Sequence, residues 1–135
     1  MVKCTIRYEG GLHCELKHED SAALVSTDAP KDNHGRGESF SPTDLLCSSM
    51  AACMSTIMGI YAQQHDLDLS GMMVEVVKHM SANPRRVAKI ETTACVPLPA
   101  DSPHCEALKD CALGSPVMMS LHPDVVVPIT WIWKG

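Results

Sequence analysis

Residues 42–66 read PTDLLCSSMAACMSTIMGIYAQQHD, and the reading of that stretch decides the fold. Between Asp44 and Asp66 there is no Asp, Glu, Lys or Arg; the interior is Leu, Met, Ala, Ile, Cys and small hydroxyl residues. A helix that is apolar on every side is ordinarily buried on every side. In a chain of 135 residues it claims a large share of the core. The start is well marked. Ser41 offers an N-cap hydroxyl, Pro42 sits at the first helical position, and Asp44 supplies an acid to the first turn. Ser48, Ser49, Ser55, Thr56 and Gly59 interrupt the apolar run, which points to a buried core helix and not to a membrane span of about 20 strongly apolar residues.

Working outward, residues 2–8 alternate, with Val2, Cys4, Ile6 and Tyr8 on one face, so they read as a half-buried strand. Glu9-Gly10-Gly11 is a turn, residues 12–18 return as a second strand with Leu12, Cys14 and Leu16 inward, and 22–28 form a third. Residues 28–41 (DAPKDNHGRGESFS) have no apolar period and make the longest loop, a length that in compact domains is often functional. Beyond the helix, 70–82 and 85–98 alternate as two strands joined by a tight turn at Ala82-Asn83-Pro84-Arg85, an antiparallel hairpin. Residues 104–113 suit a second helix stopped by Gly114, and Ser115-Pro116 starts a third that runs to about Leu121. Residues 124–133 are the closing strand. Strands, long helix, strands, helices, strand is an α+β order, and no repeat or linker divides the chain, so 1–135 reads as one domain. An all-round apolar helix needs a wall on each side, and pairing two such helices in a homodimer is the simplest way to complete them.

The bulk composition excludes several classes. A net charge of −5 with signs interspersed is no nucleic-acid footprint. No basic segment followed by an apolar run opens the chain, so a cytoplasmic, soluble protein is expected. Seven cysteines, an odd number, then read as reduced thiols and not as a disulfide framework. The Cys and His residues show no CxxC, HxxxH or HExxH spacing, so no metal site is expected. No glycine-rich phosphate loop is present either, and no cofactor is expected.

Cys53 poses the main functional question. Its helical neighbours are Leu46, Ser49, Met50, Thr56, Ile57 and Ile60, a setting in which a thiol is ordinarily packing. It lies too far into the helix for the N-terminal dipole to activate it, so a reactive thiolate there would need a cation from elsewhere. Arg36 in the glycine-rich loop and Arg85 and Arg86 in the hairpin turn are the candidates. Cys47, six residues earlier, points about 120° away and reads as core. Cys4, Cys14 and Cys95 fall at alternating strand positions and read as packing. The residues alone leave packing and chemistry both open for Cys53.

Two segments together resemble one family. Gly37-x-x-x-Ser41-Pro42-Thr43-Asp44-Leu45-Leu46 with Ala51-Ala52-Cys53, and Ser115-Pro116-Val117-x-x-Ser120-Leu121-His122-Pro123-Asp124-Val125, resemble the OsmC/Ohr family over essentially the whole chain. The resemblance implies antiparallel sheets around a long central helix in an intertwined homodimer. It also implies thiol-dependent reduction of organic hydroperoxides. Cys53 falls on the attacking thiol, whose product is a sulfenic acid. Asp44 is the acid available to orient an arginine, and Arg36 is that arginine, reaching the partner subunit's thiol. A small dithiol such as dihydrolipoamide would be the reductant.

One position departs from the family. The second cysteine, in its Cys-Pro-Val motif, corresponds here to Ser115, and a serine cannot form a disulfide. Cys111, four residues earlier, could substitute if the Gly114 hinge lets it approach. Three functions compete on this reading. The first is a thiol peroxidase built on Cys53. The second is a non-catalytic dimer binding a small apolar molecule, with Met50, Met54 and Met58 as lining. The third is a single-cysteine redox sensor.

Overall fold

In the computed structural model, which describes residues 1–135, the decisive stretch forms one helix, α1 (Pro42–Gln64). Its start is a reciprocal capping box: the Asp44 N–H donates to Ser41 Oγ at 3.1 Å, and the Ser41 N–H donates to the Asp44 carboxylate at 2.9 Å. Cys47, Met50, Ala51, Met54, Met58 and Ala62 form its buried stripe, at helical spacing. By length and composition alone α1 would pass for a membrane span, but this stripe is built into the core. Ser55 and Thr56 do not break the helix, because each hydroxyl donates to the carbonyl four residues back, Ala51 and Ala52.

The expectation of burial on every side is not met within one chain. Leu46, Ala52, Thr56 and Ile60 are exposed, and Cys53 and Ile57 are half-buried. The apolar pattern reports how much surface must be covered; the chain's own elements cover one stripe of it.

The chain divides into two compact units, Met1–Leu46 and Cys47–Gly135. In the first, β1 (Cys4–Gly10), β2 (His13–His18) and β3 (Leu24–Asp28) form an antiparallel sheet in that order. Register places Ile6 opposite Leu16 and Leu16 opposite Val25, so the apolar alternation is on one face as expected. That face is nevertheless open: Cys4, Ile6, Tyr8 and Val25 are all exposed, which corrects the assignment of Cys4 to packing. Alternation shows which face is built for burial and does not specify the chain that buries it.

In the second unit, β4 (Met73–Ala82) and β5 (Arg85–Val96) form the antiparallel hairpin, and β6 (Ile129–Trp133) pairs parallel to β5, so this sheet is mixed. Ile90, Thr92, Ala94 and Val96 alternate inward as read from sequence. Val87 is also buried, at odd spacing, because Met80 pairs with Val87 while His79 pairs with Lys89. Ala88 is thus a bulge that reverses the pleat. Its carbonyl accepts the Val126 N–H, where the chain returns toward β6. Between the strands lie α2 (Cys105–Leu113) and α3 (Pro116–Ser120). Leu108 and Ala112 of α2 join Met50, Met54, Met58, Ile90, Ala94 and Val96 in one core. The Tyr61 hydroxyl pairs with His104 Nδ1 at 2.9 Å, tying the end of α1 to the start of α2.

Candidate functional site

The central question is which thiols α1 presents. Cys47 is in the core, and Cys53 is turned onto the half-open face beside Thr56 and Ile57. The 120° separation derived from helical pitch is therefore realised. On the other side of α1, against β4, a cleft of about 240 Å³ is lined by Ser48, Ala51, Ala52, Ser55, Val74 and Val76. Met50, Met54 and Met58, expected as cleft lining, are instead fully buried. They fill the core between α1 and the sheet, and the groove is left to small side chains.

Cys111 lies in the last turn of α2, half-buried. Ser115 follows at the N-cap position of α3, with extended backbone and Pro116 at the first helical position. The backbone meets the capping expectation, but the hydroxyl does not. Ser115 Oγ makes no cap hydrogen bond, is fully enclosed, and has no hydrogen-bond partner. A buried hydroxyl without a partner costs about 1–3 kcal/mol. A helix cap therefore does not account for the serine.

The arginine candidates are dispersed. Arg86 donates to the Asp124 carboxylate at 3.2 Å and to His122 Nδ1 at 3.3 Å. The Asp124 N–H also donates to His122 Nδ1. This gives the Ser120–Val125 motif a structural role in the second unit, one the sequence reading did not assign. Arg85 lies exposed at the β4–β5 turn. Arg36 is exposed on the 29–41 loop of the first unit, with Nη2 3.6 Å from Asp28 Oδ1 and Nη1 3.9 Å from Glu38.

Arg36 faces the Asp28 carboxylate, and Asp44 supplies the α1 capping box. Asp28 is buried although it carries charge, and its Oδ1 also lies 2.6 Å from His13 Nδ1. That hydrogen bond, then the charges of His13 and Arg36 and the backbone N–H of Glu38, hold the Asp28 carboxyl below its ordinary range against the opposing effect of burial. Neither His13 nor Asp28 was singled out from sequence. The available signal was the β2–β3 register, which sets them directly opposite each other.

An α+β chain with two three-stranded sheets, a long central helix and a half-exposed thiol at the middle of that helix defines a small, recognisable class. The family model for OsmC-like protein matches residues 35–130, and the chain belongs to that family. No functionally curated protein matches it. Among solved structures, a protein of Psychrobacter arcticus, provisionally described as an osmotic stress induced and detoxification response protein, is similar at 39% identity and a TM-score of 0.92. That match covers 97% of this chain and 96% of the other. The organic hydroperoxide resistance protein OsmC of Legionella pneumophila shares the fold at a TM-score of 0.74 and 18% identity, covering 98% and 96%. An organic hydroperoxide resistance protein of Elizabethkingia anophelis does so at 0.78 and 13%, covering 99% and 96%.

Proposed function

We propose that this chain is a stress-response thiol peroxidase that reduces organic hydroperoxides through Cys53. The observation that carries the reading is the division of labour on α1, where Cys47 is packed into the core and Cys53 sits on the face left partly open. The names of the Legionella and Elizabethkingia proteins, which share the fold, agree with it. The Cys53 thiolate attacks the terminal oxygen of ROOH. The O–O bond breaks, the sulfur leaves as sulfenic acid, and RO⁻ takes a proton from solvent to become ROH. Arg36 stabilises the thiolate and the departing oxygen.

Ser115 cannot resolve the sulfenic acid, so a small dithiol does. Its first thiol condenses with Cys53–SOH, releasing water and forming a mixed disulfide. Its second thiol displaces Cys53 and closes the reductant's own disulfide. Cys111 is the internal alternative to the first of these steps.

The working form is an intertwined, cytoplasmic homodimer with no nucleic-acid or membrane partner. In its support, the open faces of β1–β3 and of α1 are apolar, with Ile6, Tyr8, Val25 and Ile60 exposed, and such faces mark association. The second reading, a non-catalytic dimer binding a small apolar molecule, is favoured by Ser115 and by the small-residue cleft along α1.

The test is to treat the protein with cumene hydroperoxide and a dithiol, follow peroxide loss, and map the oxidation state of every cysteine by peptide mass. Sulfenic acid or dithiol adduct at Cys53, with consumption lost in Cys53→Ser, is the expected result. Consumption retained in Cys53→Ser sinks the peroxidase reading, and an unmodified Cys53 beside a co-purified small molecule supports the binding one.

A further inference from the structure

Tyr61, His65 and His104 form a cluster that the thiol chemistry does not use. All three lie within the second unit, Cys47–Gly135. Tyr61 is in the last turn of α1, His65 follows that helix at once, and His104 is the N-cap residue of α2. The Tyr61 and His65 rings are stacked, with centroids 3.9 Å apart and planes 18° from parallel. His104 stands edge-on to both, 5.8 Å from the Tyr61 ring and 5.5 Å from that of His65. Ring packing of this kind is a sufficient reason for three aromatic rings to meet. It does not account for how their nitrogens are used.

Each imidazole has its Nδ1 engaged by an oxygen of Tyr61. His65 Nδ1 is 2.8 Å from the Tyr61 carbonyl. A carbonyl only accepts, so Nδ1 carries the proton and Nε2 keeps its lone pair. His104 Nδ1 is 2.9 Å from Tyr61 Oη, a hydroxyl oxygen that can accept from Nδ1–H in the same way. An imidazole that donates from one nitrogen to a protein oxygen and keeps a lone pair on the other is held as metal-ligating histidines are held.

The spacing of the two rings fits one ion. A zinc-like ion lies about 2.0–2.1 Å from an imidazole nitrogen, hence about 3.2 Å from the ring centre, and two such rings at a tetrahedral angle have centres about 5 Å apart. The observed separation is 5.5 Å, with the planes inclined by 63°.

No third protein ligand joins them, since no group of three His, Cys, Asp or Glu residues is placed to hold a metal. The neighbouring Cys105 is buried, and its thiol donates to the Pro99 carbonyl at 3.5 Å. Glu106 is paired with Lys109. His65 is exposed and His104 half-buried, so water reaches the cluster and can complete a coordination shell. A site of imidazole and water suits zinc, copper or nickel and not magnesium or calcium.

We propose that His65 and His104 bind one divalent transition-metal ion through the two Nε2 atoms, bridging the end of α1 to the start of α2. Tyr61 orients both rings, one through its carbonyl and one through its hydroxyl. The site does not rest on the peroxidase reading. It has no signature in the sequence, because the fold and not a motif spacing brings the two histidines together.

The test is nuclear magnetic resonance of the intact protein with Ni²⁺, a paramagnetic ion that takes imidazole ligands. At substoichiometric Ni²⁺ the ring protons of His65 and His104 are expected to broaden first and together, ahead of the other histidines, among them the exposed His122. His65→Ala, a change at an exposed position, is expected to weaken Ni²⁺ binding at His104 about tenfold or more, because a paired site becomes a single ligand. His104→Gln keeps a hydrogen-bonding group for Tyr61 Oη and is expected to do the same at His65. Circular dichroism confirms that both variants are folded. Broadening that begins at other histidines, that spares both rings because thiols take the ion, or that is unchanged at His104 in His65→Ala overturns the proposal.

Discussion

At position 115 a hydroxyl is enclosed with nothing to bond. Removing it relieves a desolvation cost without breaking a hydrogen bond. Ser115→Ala is therefore expected to raise unfolding stability by about 1 kcal/mol, read as a higher urea midpoint at unchanged slope. Ser115→Cys should do the same, because a thiol is the weaker hydrogen-bonding group and tolerates burial better. A midpoint lower than wild type in both variants would mean that the hydroxyl has a partner after all. Residue identity made Ser115 conspicuous, yet its want of a partner was not legible. Ser before Pro is a sufficient cap signal, and only the backbone path shows that Oγ is turned away from the helix N–H groups. Asp28 shows the complementary case. It lay at the edge of a loop with no pattern, and its meaning came from a register that pairs it with a residue fifteen positions earlier.

At the scale of elements, α1 was the most legible, because its cap, first-turn proline and uncharged interior all agree on one reading. Met54, with no exposed surface, packs among Ile90, Ala94 and Leu108 in a single core. Met54→Ala is expected to cost about 2–5 kcal/mol, measured by denaturant unfolding. The β4–β5 hairpin was equally legible up to the bulge at Ala88, whereas the closing strand, read as 124–133, forms only over Ile129–Trp133. An extra residue reverses the pleat without any signal from Gly or Pro, so the burial of Val87 could not be read by alternation. The loop at 29–41 was legible as a loop and not as a scaffold. Its path is constrained by Gly35 packing on Ala29, a contact that glycine content suggests without locating. Gly35→Ala should force that loop apart, and hydrogen exchange should then quicken at the amides of Gly35 and Gly37, whose carbonyl partners are Pro30 and Ala29.

For the whole molecule, two consequences are measurable. Replacing Ile60 on the exposed stripe of α1 with Glu puts a charge where the proposed dimer would exclude water. Sedimentation should show that Ile60→Glu shifts the dimer toward monomer, and an unaltered sedimentation coefficient would argue against a helix-centred interface. Acid provides the other. The Asp28 carboxyl is lowered in the fold, by His13 first and Arg36 after it, so its contribution is complete above the ordinary carboxyl range. That contribution is lost as pH falls through the lowered value. Thermal melts of wild type and Asp28→Asn should therefore differ near neutrality and begin to converge only as pH falls below about 4. Glu19, bonded to the Thr5 side chain, and Asp68, bonded to Ser70, shift in the same direction. The comparison between variants isolates Asp28 from them.

The parallel pairing of β6 with β5 also governs the order in which the second unit can be made. The β4–β5 hairpin is local and can close as soon as β5 has emerged. Ile129, however, pairs with Thr92 across the whole of α2 and α3. Until residues beyond Trp133 have left the ribosome, one edge of β5 stays open and the row Ile90, Ala94, Val96 lacks part of its cover. During that interval the unfinished chain exposes the kind of apolar edge on which chaperones and aggregation compete. A translational pause within residues 105–128 would lengthen the interval, whereas one before the β4–β5 hairpin would not.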